Sequence, residues 1–193
     1  MSSTTTAAIF LIKLIFDVYI IILMFRVLLQ KLGAHYYNPV SQLIIKLTDI
    51  FVVPLRRVIP GFKGFDFSII FLVLLFAIIE MILLIWMRFR IVPNFWGTVI
   101  AAFGMIGVKL VNLYFYIIIM RVIMSWIVSL QQGPVAEIIY LTTEPLLGRA
   151  RRLIPPLAGF DFSPIAILIV LQLISILAFE PLITVGMRLG LAG

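Results

Sequence analysis

Gly64-Phe65-Asp66-Phe67-Ser68 (GFDFS) returns unchanged as GFDFS at 159–163, a displacement of 95 residues (159 − 64). The same displacement, with no gap, lays Arg56-Arg57 on Arg151-Arg152, Pro60 on Pro155, Pro39 on Pro134, Arg26 on Arg121 and Tyr19 on Tyr114. Across 48–68, ten of twenty-one residues equal their partners. The chain therefore reads as a tandem duplication of one module, the first copy in 1–95 and the second in 96–193.

The surroundings of the repeat say which solvent the module lives in. Hydrophobic residues are 64% of the chain and charged residues 12%, against roughly 45–50% and about 25% in a soluble domain. Too little polar surface remains to face water all round, so the bilayer is part of the solvent. A spanning helix needs about 20 mostly apolar residues. Four stretches meet that need: 7–30, 67–87, 110–130 with a lead-in from Gly97, and 164–185, where Pro181 is expected to kink the end. The first ten residues lack the basic start and small-residue cleavage site of a signal peptide, so the first run is expected to stay as a membrane helix.

Between the spans of each module lies a mixed segment. Residues 38–55 open with Asn38-Pro39, a favourable helix entry, and place Leu43, Leu47, Ile50 and Phe51 at helical spacing among Ser41, Gln42, Lys46 and Asp49. Residues 133–152 repeat the arrangement with Glu137, Thr142, Thr143 and Glu144. Both read as amphipathic helices at the membrane surface. The expected fold is thus an all-α membrane protein: four transmembrane helices in two tandem parallel repeats, each with an interfacial amphipathic helix. Two spans per module make the copies point the same way.

Charge sets the orientation. The loops carrying the repeat hold Lys31, Lys46, Arg56, Arg57, Lys63, Arg149, Arg151 and Arg152; the other side holds Arg88, Arg90 and Arg188, with Lys13 near the start of the first span. The excess predicts cytoplasmic repeat loops and external termini. The net charge of +7 falls beside greasy runs, where it meets lipid phosphates, and no basic module for nucleic acid is visible.

Chemistry is sparse. There is no cysteine and one histidine, His35, with no second ligand at a metal spacing. No cofactor is expected, haem included, since a bis-histidine site needs a second histidine. No nucleophile, base and orienting group can be assembled, so an enzyme is not expected.

The run RRLIPPLAGFDFSPI (151–165), preceded by TEP (143–145), resembles the signature of the YggT family, also called YlmG. The layout is similar to the two-copy bacterial form over nearly the whole chain. The first copy departs from the signature at Gly61 and Ile69, where it has prolines. The resemblance implies a multi-pass protein of the bacterial inner membrane. Relatives are linked to cofactor assembly on a plastid cytochrome complex, to organisation of DNA and division, and to osmotic or potassium tolerance.

In the motif, Asp161 and Ser163 precede Pro164, which makes a capped helix start, and an acidic group suits the positive end of the helix dipole. Gly159 permits backbone angles closed to other residues. Phe160 and Phe162 are expected at headgroup depth or against the surface helix. Arg151 or Arg152 can pair with Asp161, and Arg56 or Arg57 with Asp66. The motif is therefore either a salt-bridged elbow or a site for a lipid phosphate or an anionic partner. Asp17, Arg26, Glu80 and Arg121 are charges inside spans, which mark either structural bridges or an ion path. Tyr19 and Arg26 share a helical face, as do Tyr114 and Arg121. Arg26 could snorkel, Asp17 could pair with Lys13, and Glu80, expected near the far interface, with Arg88 or Arg90. Gly186-x-x-x-Gly190 is a weak dimerisation cue.

Three functions compete. The first is a non-catalytic factor that assembles or organises other membrane proteins, with a link to osmotic stress tolerance. The second is a small ion transporter or channel working as a homo-oligomer, suggested by the charges in or beside the spans, Lys109 among them. A membrane enzyme comes last. Expected partners are membrane lipids with anionic headgroups and other membrane proteins.

Overall fold

A backbone amide in hydrocarbon has no water to bond, so each long apolar run closes its own hydrogen bonds as a helix. The computed structural model describes residues 3–59, 61, 66–154 and 161–191. Its helices are α1 (Ser3–Lys31), α2 (Pro39–Arg56), α3 (Phe67–Phe89), α4 (Phe95–Trp126), α5 (Pro134–Leu153) and α6 (Ser163–Leu191). The four long and apolar enough to cross a membrane are α1, α3, α4 and α6.

Local chemistry sets the helix starts. Asn38 Oδ1 accepts from Val40 N at 2.9 Å ahead of Pro39, Asp66 Oδ1 from Ser68 N at 3.1 Å, and Asn94 Oδ1 from Trp96 N at 3.0 Å. Each satisfies an amide that the first helical turn cannot. α5 starts instead from Gly133, whose φ of 108° suits glycine, followed by Pro134.

The third span differs from its expected limits. It begins at Phe95 and ends at Trp126, and Val128–Leu130 forms a separate 3-10 turn. Its early turns are rich in glycine and alanine, which weakens the apolar signal. Those small residues are where α6 packs. A side-chain carbon on Gly97 would lie 2.2 Å from Gly190 N, on Gly104 2.7 Å from Phe179 O, and on Gly186 2.3 Å from Ala101 N. The glycine pair at 186 and 190 therefore serves contact within one chain, where its spacing suggests a dimer cue. Backbones that approach this closely associate by van der Waals packing, which does not need water to drive it. Asn94 N also donates to Gly190 O at 2.9 Å, tying the start of α4 to the end of α6.

The irregularity expected at Pro181 takes the form of a π turn at Ser175–Phe179. Proline cannot donate to the residue four positions back, and the wider turn just before it accommodates the loss.

The main core lies where α1, α3 and α4 meet, with Ile20, Leu23, Ile69, Leu72, Ala77, Ala102 and Ile117 buried and contributions from α2 and α5. α2 turns Ser41, Ile44, Thr48 and Val52 inward, whereas Leu43, Leu47, Ile50 and Phe51 stay exposed. Its apolar stripe thus faces outward, the arrangement suited to a lipid-facing surface.

Both connecting helices begin at the same end of the bundle. Asn38 Nδ2 donates to Pro134 O and to Glu137 Oε2, each at 2.9 Å. The cap of α2 thereby holds the first turn of α5, and the two repeats are joined at their corresponding points.

Candidate functional site

Two arrangements gather the polar groups of this greasy chain: a pair of repeated elbows and one buried triad.

Each repeat has an elbow with an arginine bridge from span to connecting helix. Arg26, low on α1, reaches across to α2. Its Nη2 lies 2.8 Å from Asp49 Oδ1, its Nη1 donates to Ile45 O at 3.3 Å, and Nη1 also bonds Thr48 Oγ1. Arg121 does the same between α4 and α5: Nη1 donates to Thr143 Oγ1 at 2.7 Å and Nη2 to Glu144 Oε2 at 2.6 Å. Thr48 and Thr143 in turn donate to Ile44 O at 2.6 Å and Ile139 O at 2.7 Å. Arg26, Thr48 and Asp49 correspond to Arg121, Thr143 and Glu144 under the 95-residue displacement. Arg26 is 5% exposed, so it does not snorkel but crosslinks span to connecting helix. Tyr19 reaches α2 from the same face of α1, its hydroxyl 3.5 Å from Leu47 O.

At the far end of each connecting helix a second arginine turns toward the motif aspartate. Arg56 Nε donates to Asp66 Oδ2 at 2.6 Å and Nη2 lies 2.5 Å from the same oxygen. Arg151 Nε lies 3.5 Å from Asp161 Oδ2 and its Nη2 donates to Glu144 Oε2 at 3.0 Å. Asp161 Oδ1 accepts from Ser163 N at 2.9 Å, as Asp66 does from Ser68 N. Ser68 Oγ donates to Ile59 O at 2.6 Å; Ser163 is fully buried, and its Oγ has no partner among the described residues. Arg57 and Arg152 are exposed, and among the described residues neither forms an ion pair. Gly159 and Phe160 lie outside the described residues, whereas Phe162 is 44% exposed.

Electrostatics favour the ionised elbow. Partial burial raises the Glu144 carboxyl, but bonds from Arg121 and Arg151 outweigh it, and the group sits below the ordinary carboxylate range. The Arg121 guanidinium also lies 4.6 Å from the centre of the Tyr140 ring.

The triad joins the repeats. Lys109 of α4 donates to Glu80 Oε2 of α3 at 2.7 Å and also bonds Asp17 Oδ1 of α1. Glu80 is 0% exposed. Asp17 therefore pairs with Lys109 and not with Lys13, and Glu80 sits inside the bundle and not near Arg88 or Arg90. The extended side chain of Lys109 supplies the ammonium that both carboxylates need, and such charges in an apolar interior persist only when paired. Under the repeat displacement the triad positions become Asn112, Ser175 and Leu14, so it exists once. The sequence singles out Asp17 and Glu80 but leaves Lys109 without a partner, because no repeat counterpart marks it. It gives Thr48, Asp49, Thr143 and Glu144 no pairing either, although the displacement matches them and is a usable signal.

Among the described residues no group of three histidines, cysteines or carboxylates is placed to hold a metal. His35 lies 3.9 Å from Glu137, exposed.

A family model described as CCB3/YggT matches the chain twice, at residues 5–87 and 100–182. The second match begins and ends 95 positions after the first (100 − 5 and 182 − 87). The chain is 34% identical to an uncharacterised protein of Pseudomonas aeruginosa, over 94% of this chain and 93% of the relative. It is 32% identical to the uncharacterised protein YggT of Escherichia coli, over 92% of each. A shorter likeness, 37% identity over 36% of this chain and 40% of the relative, joins it to the chloroplastic cofactor-assembly protein CCB3 of Arabidopsis thaliana. No solved structure matches.

Proposed function

The chain belongs to the CCB3/YggT family, and from that premise we propose that it is a non-catalytic membrane factor that helps other membrane proteins assemble. The observation that carries this reading is the pair of elbows at one end of the bundle, held together by Asn38 on Pro134 and Glu137. They set the two connecting helices side by side, and the first of them, α2, turns Leu43, Leu47, Ile50 and Phe51 outward. A surface of that kind suits contact with other spans and with lipid. The name of the Arabidopsis relative, cofactor assembly, supports the same class of task.

The basic residues of the elbows support a bacterial inner membrane setting with these ends cytoplasmic and the termini external. A contribution to osmotic stress tolerance belongs to the proposal, so that loss of the factor is expected to sensitise cells to osmotic stress. Crosslinking in intact cells followed by purification in mild detergent tests it. A reproducible membrane-protein partner is expected, lost on Leu47→Glu plus Ile50→Glu; recovery of the chain alone in several detergents counts against the reading.

A second reading, a small oligomeric ion transporter, is favoured by one feature, the charges of Asp17, Glu80 and Lys109 inside the bundle. Flux of K⁺, Na⁺ or H⁺ in proteoliposomes that falls with Glu80→Gln supports it. Impermeable vesicles remove it.

A further inference from the structure

The second repeat supplies an internal template for the first. In it one carboxylate oxygen, Glu144 Oε2, sits between Arg121 Nη2 at 2.6 Å and Arg151 Nη2 at 3.0 Å. The corresponding residues of the first repeat are Asp49, Arg26 and Arg56. Aspartate is one methylene shorter. Asp49 reaches Arg26 at 2.8 Å, and among the described residues it makes no pair with Arg56, whose Nε and Nη2 turn to Asp66.

A cavity of about 490 Å³ opens at this place, with Arg26, Asp49, Arg56, Ser41, Gln30 and Tyr36 in its wall. That volume is in the range of small-molecule sites. Ser41 is 4% exposed, and its hydroxyl has no partner among the described residues. It stands one helical turn, about 6 Å, before Ile45, whose carbonyl accepts from Arg26. In the second repeat Ser41 corresponds to Ala136 and Ile45 to Tyr140, whose ring covers Arg121. In the second repeat the cavity at the corresponding place is smaller, about 290 Å³, with Met124, Ser129 and Ala136 in its wall but not Arg121, Glu144 or Arg151, whereas the cavity of the first repeat is lined by both arginines and the aspartate.

We propose that the cavity of the first repeat binds a phosphate group, its oxygens lying between Arg26 and Arg56 as the Glu144 carboxylate lies between Arg121 and Arg151. Guanidinium groups match phosphate and carboxylate oxygens in the same forked geometry. A prior carboxylate partner does not prevent this: Arg151 holds Glu144 at 3.0 Å with Asp161 at 3.5 Å. The Ser41 hydroxyl, one turn from the carbonyl that Arg26 bonds, donates to a phosphate oxygen on the Arg26 side. The phosphate belongs either to a phospholipid headgroup or to the free anion.

The test titrates the purified full chain in detergent with short-chain phosphatidylglycerol and, separately, with inorganic phosphate. Binding is read by thermal shift and by native mass spectrometry. Saturable binding of one phosphate species per chain is expected, weakened at least tenfold by Asp49→Glu, whose longer arm supplies the internal oxyanion. Ser41→Ala, which removes a hydroxyl with no internal partner, keeps the fold and weakens binding at least threefold. Inorganic phosphate that competes with the lipid identifies the anion itself as sufficient; phosphatidylglycerol binding that phosphate cannot displace identifies the headgroup. Absence of saturable binding to the natural chain overturns the proposal. So does unchanged affinity in folded Asp49→Glu or, if that variant does not fold, in Ser41→Ala.

Discussion

Lys109 of the second repeat lies 2.7 Å from Glu80 of the first, an ion pair between α4 and α3 whose acidic member is fully buried. With Asp17 on the same ammonium, three spans meet at one charge. The duplicated halves are therefore held by a contact that neither half repeats.

Removing the lysine leaves two carboxylates facing each other in an apolar interior. Lys109→Met is expected to lower stability by about 3–5 kcal/mol, the loss typical of breaking a buried pair. Neutralising all members, as Asp17→Asn with Glu80→Gln and Lys109→Met, is expected to recover most of that. Thermal unfolding in detergent checks both, and a single lysine variant as stable as the natural chain would refute the role of the pair.

At Gly97, Gly104 and Gly186 the seam between α4 and α6 leaves no room for a side-chain carbon. Gly97→Leu or Gly186→Leu is expected to cost roughly 1–3 kcal/mol or more through overpacking and to release α6. Limited proteolysis should then cut before α6. Gly33→Ala is a poor control, because Gly33 has a φ of 70°. Gly190→Ala is a better one, since a side-chain carbon there meets its nearest neighbour, Pro93 Cβ, at an ordinary 3.7 Å.

The two motif aspartates should not weigh equally. Asp66 is 5% exposed and takes two bonds from Arg56, at 2.6 and 2.5 Å, whereas the Asp161 side chain is 42% exposed with Arg151 at 3.5 Å. Each also bonds an amide in the first helical turn, worth about 0.5–2 kcal/mol. Asp66→Ala is expected to lower the melting temperature more than Asp161→Ala. Equal shifts would contradict the ranking.

Glu144 gives the elbow a pH dependence of definite sign. Bonds from Arg121 and Arg151 hold its carboxyl below the ordinary carboxylate range, so its contribution is present above the unfolded value and is lost as pH falls through the lower folded value. In a series of melting curves from about pH 6 to about pH 3, Glu144→Gln is expected to show a shallower acid decline than the natural chain. A parallel decline in both would remove Glu144 from the account.

The elbows are expected to face one compartment. The natural chain has no cysteine, so cysteines placed at Arg57 and Arg152 report cleanly. An impermeant thiol reagent should label both from one side of the membrane, and a cysteine at Arg90 from the other. Opposite labelling at 57 and 152 would break the parallel-repeat reading.

Much of the elbow is legible from residues alone, because local chemistry repeats with the chain. Asp66 ahead of Phe67-Ser68 and Asp161 ahead of Phe162-Ser163 mark helix starts whatever surrounds them, since the amides of a first turn need an acceptor. The partners of Arg26 and Arg121 are less visible. They lie 22 to 23 residues along the chain, beyond any helical spacing, and only the alignment of the two copies hints at them.

From composition and displacement alone came the membrane, the duplication, the spans apart from the third, and the positions of the basic elbows. These follow from hydropathy and from short-range hydrogen bonding, which depend on neighbouring residues. Only the tertiary structure decided that Lys109 serves Asp17 and Glu80, that glycines 97, 104 and 186 form an internal seam, and that Asp49 and Glu144 treat their arginines differently. Those outcomes depend on which helix faces meet and on how far a single methylene reaches, and packing, not sequence spacing, sets both.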